Sequence, residues 1–310
     1  MIAQLGVGLW TLQSSATAPA NSTALYRRFA EAAVLADELG FHSVWAAEHR
    51  LWYDGFCPAL LHAEAFVAAQ TKQIRLGQAM LIGPQHDPAG LARNARTLQQ
   101  LSGDRLELGL GLGHRDAEFD ALGLRRDRRG RRLEEDVLDA VEPVGARIWL
   151  GGMARPTLER AARRGHSLML PQTLFTAELG PLLAEYHGLG GSGTVGIIRD
   201  TWIEPDRSRS RRASDRIVAH YLEEAGAWWV LKGAVGFENP AQLARQRERI
   251  LAAAVIGSAE QVAERLRADI AAGVEIFCLR LCFDFVTQNE LREQLHRVAE
   301  EVAPLLEDAS

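Results

Sequence analysis

The chain has 310 residues, 47% of them hydrophobic, with a formal net charge of −5 and a pI near 6.0. That length can bury one large α/β barrel or two ordinary domains, and the acidic balance argues against a nucleic-acid partner, which needs a cationic field to displace counterions from phosphate. No apolar run approaches the roughly 20 residues of a membrane span, and Met1-Ile2-Ala3-Gln4 lacks a basic segment leading into an apolar one, so the expectation is a cytoplasmic protein with no membrane partner.

Short apolar runs alternate with amphipathic stretches, the rhythm of parallel strands joined by helical crossovers. Leu5–Trp10 comes first. Leu25, Phe29, Ala32, Ala33, Ala36 and Leu39 then form one helical stripe, which Ser22-Thr23 can cap and Gly40 can close. Ser43–Ala47 runs directly into Glu48-His49. After Ile74–Ile82, Pro88 opens a helix with the stripe Leu91, Ala95, Leu98 and Leu101, and Ser102-Gly103-Asp104 turns it into Leu106–Leu110. Arg125–Arg132 carries six arginines relieved by Asp127, which suits a solvated loop and helix start. Arg147–Leu150, Ser167–Leu170, Val195–Ile203 and Glu275–Leu281 bring the strands to eight, which predicts one α/β domain over residues 1–310, a (β/α)8 TIM barrel.

Residues 204–274, between the last two strands, are too many for one crossover, so an insertion is expected there, with 227–257 as a lid or side layer. Cys57, Cys278 and Cys282 show no zinc-type spacing and read as core or free thiols, the last two on one face of a strand; no metal is expected.

An isolated Glu-His pair is ordinarily surface chemistry. At the C-terminal end of a barrel strand, where catalytic groups collect, an imidazole that titrates near neutrality is instead placed to move a proton. His49 is therefore the expected catalytic residue.

Gly40-Phe-His-Ser-Val-Trp-Ala-Ala-Glu-His49, Leu76-Gly-Gln-Ala-Met-Leu-Ile-Gly-Pro84, Leu101-Ser-Gly-Asp-Arg-Leu-Glu-Leu-Gly-Leu-Gly111 and Ile148-Trp-Leu-Gly-Gly152, with Val255–Glu264 and Ala272–Phe277, together resemble the bacterial luciferase-like flavin monooxygenases over nearly the whole chain. The resemblance implies reduced FMN as cofactor, O2 as co-substrate, a flavin hydroperoxide that oxidises a small organic substrate, and a separate reductase, since no dinucleotide-binding glycine pattern appears. It puts His49 beside the reacting edge of the flavin and a non-proline cis peptide under the ring at Ala79-Met80. It puts further cofactor contacts at Gly111 and Gly113, and the phosphate at Gly152-Met153-Ala154-Arg155-Pro-Thr157, where a helix begins. Trp10, Trp52, Tyr53, Phe56, Phe175 and Trp228 are candidate walls of a dry substrate pocket, and Glu48 is expected to hold its loop. It also implies a homodimer, for which Leu60–Ala69 is apolar enough.

Two departures stand out. Where many members of that family carry an Arg, this chain has Leu112, so Arg115 or Arg155 must grip the phosphate or affinity must fall. The link Leu133–Val144 is also shorter than in relatives. A deazaflavin-dependent oxidoreductase and a non-catalytic flavin binder are the competing expectations.

Overall fold

The computed structural model describes residues 4–14, 19–50, 57–221 and 240–307. Alternation of side chains across each strand makes the barrel, because one face of every strand meets the lumen and the other meets a helix. The strands are β1 (Gln4–Trp10), β2 (Ser43–Ala46), β3 (Arg75–Gln78), β4 (Leu81–Ile82), β5 (Leu106–Gly111), β6 (Arg147–Gly151), β7 (Ser167–Leu170), β8 (Val195–Ile203), β9 (Val255–Gly257) and β10 (Ile276–Arg280). All pair in parallel. The order β10-β1-β2-β3-β5-β6-β7-β8 closes through β10 on β8, and β4, paired with β5, continues the third barrel strand. The cis peptide expected at Ala79-Met80 lies between β3 and β4, and a second joins Gly8 to Leu9.

Leu76, Leu108, Leu150, Leu168, Ile197 and Phe277 point outward into the main core under the helices. Leu9, Trp45, Ala47, Ala79, Trp149, Met169, Ile198, Ile276 and Cys278 point into the lumen. Its base is plugged by Trp45 and Trp149, packed edge to face at 5.5 Å between centroids, with indole N–H groups donating to Ser43 Oγ (2.8 Å) and Glu107 Oε2 (2.6 Å). Gly77 makes room, since a Cβ there would stand 2.3 Å from Trp45 Cε3. The base is thus dry and filled, and any ligand must enter at the C-terminal rim.

Helix α1 (Ser22–Glu38) starts one residue earlier than Ser22-Thr23 suggested: Asn21 is the cap, its side chain accepting from Ala24 N–H at 2.9 Å. Its short side-chain amide oxygen reaches the first turn's free N–H groups. Helices α2 (Leu60–Ala68) and α3 (Pro88–Ser102) follow, α3 capped by Asp87 and ended by Gly103 in the left-handed conformation.

The long interval before β10 holds four elements in its described part, the first of them the helix Arg207–Ala219. Pro240–Ala253 is helical, β9 pairs with Thr201–Ile203 of β8, and Ala259–Ala271 forms the crossover, tied to β8 by a buried two-pronged Arg199–Asp269 pair (2.7 and 3.0 Å). The expected lid or side layer lies partly outside the described residues, since 222–239 are not among them. The two late cysteines do not share a face: β10 ends at Arg280, so Cys278 enters the lumen while Cys282 joins the outer core.

Candidate active site

At the rim, β2 delivers Glu48 and His49 in sequence, and alternation sends them different ways. Glu48 is buried, and its Oε1 accepts from Ile82 N–H (2.9 Å) and His86 Nε2 (2.6 Å), pinning the end of β2 to the end of β4. Arg50 Nη2 lies 2.9 Å from His86 Nδ1. A guanidinium only donates, so Nδ1 accepts and the His86 proton sits on Nε2, directed at Glu48. Glu48 thus anchors the loop that carries His49.

His49 Nδ1 is 3.0 Å from Glu118 Oε1, and only 14% of the His49 side chain is exposed. Glu118 lies on a short helix, α4 (Asp116–Ala121), just beyond the end of β5. It is fully buried and also accepts from Arg115 Nη1 (2.9 Å), Gln85 Nε2 (3.1 Å) and Arg50 N–H (3.2 Å). Burial alone would raise its pKa, but the His49, Gln85 and Arg115 partners together outweigh it and hold Glu118 at about 2. A carboxylate ionised at every working pH can only accept there, so it accepts a hydrogen bond from His49 Nδ1–H. His114 stands edge-on to His49 at 5.5 Å; desolvation and then the neighbouring imidazole lower its pKa, and the residue's exposure to solvent limits how far.

Beside this dyad the lumen wall is flat. Met80 lies over three inward-facing glycines, such that a Cβ would stand 2.9 Å from Met80 Cε at Gly109, 3.1 Å from its Cβ at Gly111 and 2.5 Å from its Cγ at Gly151. Behind Ala79-Met80, Gln78 accepts from Gly109 N–H (3.2 Å) and donates to Glu64, a fully buried acid of α2. Burial pushes Glu64 up to about 8 against the Gln78 hydrogen bond, with the Glu48 charge adding to the rise, so it is a neutral acid at pH 7.

From β6 the chain passes through Gly152 (φ +134°) into the helix Arg155–Arg164, whose N-terminus has no side-chain cap. Thr157 is buried in its first turn, its Oγ1 in ordinary contact (3.5 Å) with a Cβ built on Gly152. Met153 is exposed, and Ala154 takes the N-cap position. Gly113 (φ +71°) turns the chain away from β5 above Ile82.

Neither expected substitute for the phosphate arginine points at this turn alone. Arg155 is exposed and pairs with Glu159 (2.8 Å) and Glu185 (3.0 Å), Arg115 is buried against Glu118, and Leu112 packs on the outer core.

The proposed pocket walls separate. Trp10 turns outward and packs on Phe29 of α1 (5.1 Å), because β1 changes face at Gly8-Leu9 and sends Leu9 into the lumen instead. It is a core residue, which corrects the expectation. Phe175 sits at the rim after β7, under the Arg249 guanidinium at 4.9 Å. Trp52, Tyr53, Phe56 and Trp228 lie outside the described residues.

Sequence reading missed Glu118. The signal available was the charge-dense run His114-Arg-Asp-Ala-Glu118 directly after a barrel strand, at the same rim as His49.

A family model described as luciferase-like monooxygenase matches residues 6–141, from β1 to the helical link before β6. The chain is 29% identical over 129 residues to the oxygenase component of flavin-dependent trigonelline monooxygenase from Acinetobacter baylyi, covering 41% of this chain and 34% of that one. It is 29% identical over 178 residues to an F420-dependent glucose-6-phosphate dehydrogenase from Kineococcus radiotolerans, covering 54% and 51%. The matched region spans about half the length of the curated relatives, or less. The oxygenating constituent of 3,6-diketocamphane monooxygenase from Pseudomonas putida, solved with FMN, superposes with a TM-score of 0.78 at 16% identity, covering 98% of this chain and 99% of that one. At that identity the likeness is one of fold.

Proposed function

Because this chain belongs to the luciferase-like monooxygenase family, we propose that it oxidises a small organic substrate using reduced FMN and O2, the FMN being supplied by a separate reductase. The observation that carries this reading is the His49–Glu118 dyad standing at the mouth beside a flat wall made of Met80 and three glycines. The glycines let Met80 and the Gln78 backbone lie close against the wall, since a Cβ at Gly111 or Gly151 would meet Met80 and one at Gly109 the Gln78 carbonyl oxygen, and a planar ring is proposed to stack over that surface. The phosphate fits the uncapped start of Arg155–Arg164, whose N–H groups and dipole favour an anion, with Thr157 as the side-chain donor.

When bound, reduced FMN supplies the electrons that activate O2 for transfer of one oxygen atom to the substrate. The chain does the rest. His49 holds or returns a proton through Nε2, with Nδ1 fixed by Glu118, while Glu48 and His86 keep its loop in place. The flat wall orients the ring, and the plugged base and closely packed lumen exclude water from beneath it. A homodimer through α2 and α3 is part of this proposal, since Phe66 and Leu101 expose 52% and 68% of their surface there.

The test is product formation from aldehydes, ketones and olefins, with chemically reduced FMN in air. His49→Ala should lose about 10²–10⁴ in product formation while binding FMN within a few fold. Absence of any product with the unaltered chain, or equal turnover by the variant, would overturn the proposal. A second reading, hydride transfer with a deazaflavin, draws on Leu112 in place of the arginine and on the F420-dependent relative. Equilibrium binding of the two reduced cofactors separates them, since the leading reading requires FMN to bind more tightly.

A further inference from the structure

Around the barrel, β8 and β10 stand across the lumen from the third strand and β5, which carry Met80, Gly109 and Gly111. Alternation fixes what they present. Ile198 and Cys278 belong to the lumen layer, so the next inward positions toward the rim are Asp200 and Arg280, which are also register partners. Their side chains are 5% and 7% exposed.

The pair is close without being closed. Arg280 Nη1 is 3.7 Å from Asp200 Oδ1, beyond hydrogen-bond reach, and donates instead to Tyr221 Oη at 2.6 Å, while Nη2 meets His220 Nε2 at 3.0 Å. Tyr221 donates to Asp200 Oδ2 at 2.7 Å and accepts from Gln172 at 3.2 Å. Phe283 lies 4.5 Å from the guanidinium and walls the cluster on its outer side. His220 Nδ1 faces Asp284 Oδ1 at 2.7 Å, and on the Asp200–Arg280 pair itself two buried atoms remain without a hydrogen bond, the acceptor Asp200 Oδ1 and the donor Arg280 Nε–H. Leaving such groups unmet costs about 1–3 kcal/mol each, and burial already raises the Asp200 pKa against the pull of Arg280.

We propose that Asp200 and Arg280 form a subsite for a neutral polar group of the substrate, one that donates and accepts at once, such as a hydroxyl or a carboxamide. The inference rests on the oxygenase reading and deepens it. The Asp200 carboxylate and the Asp284 carboxylate on His220 disfavour an anion, and a cation has no acceptor for Nε–H, whereas a group that gives a hydrogen to Oδ1 and takes one from Nε satisfies both atoms. Its place across the lumen from the Met80 wall puts such a substrate between that wall and the polar pair, on the rim that also holds His49.

The probes are cyclohexanone and 4-hydroxycyclohexanone, whose affinities are compared by ligand-observed NMR on the full chain with and without added oxidised FMN. The hydroxylated ketone should bind about 5–30 fold more tightly, the equivalent of one or two hydrogen bonds. Asp200→Ala should reduce that preference to within about 2 fold with FMN affinity retained; if that variant does not fold, Asp200→Asn should narrow the preference in the same direction. Equal binding of the two ketones to the unaltered chain would mean that water meets both atoms and no subsite exists. Persistence of the preference in the variants would also overturn the assignment. Because the preference is read without turnover, failure of the oxygenase reading appears separately, as absent FMN binding or absent product.

Discussion

Glu118→Gln keeps the shape of the side chain and removes its charge. In the folded chain Glu118 titrates at about 2 rather than 4.5, because His49, Gln85 and Arg115 overcome the burial that opposes ionisation. The folded value lies below the unfolded one, so the stabilisation is complete above about pH 4.5 and is lost as pH falls toward about 2. The difference corresponds to about 3 kcal/mol at pH 7 and roughly half that at pH 3. These are ceilings, since part of the interaction is exchanged for solvent in the unfolded chain. The Glu118 side chain is fully buried, so solvent screening removes little of the rest. Urea unfolding of both proteins between pH 7 and pH 3 measures the gap. The variant should be less stable by about 2–3 kcal/mol at pH 7, with the gap shrinking by about half at the acidic end. A gap below about 1 kcal/mol at pH 7, or one that stays constant with pH, would refute the role given to this carboxylate.

Thr157→Val should weaken reduced-FMN binding about 10 fold or more, the loss of a hydrogen bond to a charged oxygen, whereas Arg155→Ala, exposed and held by Glu159 and Glu185, should change it less than about 3 fold. Fluorescence titration under anaerobic conditions reads both, and the reverse ranking would mean that Arg155 is the phosphate residue. Phe66→Asp with Leu101→Asp should yield a monomer of unchanged melting temperature by size exclusion and scanning calorimetry, because both side chains are more than half exposed. An unaltered elution volume would place the contact elsewhere, or exclude a dimer.

Much of the barrel could be read before any coordinates. Each of the eight expected strands overlaps an observed one, because a strand with one face on the lumen and one under a helix must be short, apolar and bounded by turns. What escaped was β9, three residues whose pairing with β8 depends on where the inserted helix Pro240–Ala253 packs. The cap of α1 shifted by one residue to Asn21 for a local reason, the choice between three adjacent polar side chains.

Glu48-His49 could be placed on the rim from its position after Ser43–Ala46, but not its partner. Glu118 is 69 residues away and becomes the orienting carboxylate only because β5 ends beside β4 and a short helix folds back over the end of β2. The same holds for Trp10, which the resemblance offered as a pocket wall and which the change of face at Gly8-Leu9 turned into core. Asp200 and Arg280 are ordinary charged residues near strand ends until closure of the barrel through β8 and β10 sets them side by side.

Local pattern, period and turn chemistry therefore determined the strands, the rim and the residue types gathered there. They are properties of neighbouring positions, which a chain carries in its order. Which carboxylate meets His49, which glycines lie under Met80 and which charges face one another across the lumen depend on strand register and closure. Those are relations between distant segments, decided when the barrel closes and buries them together.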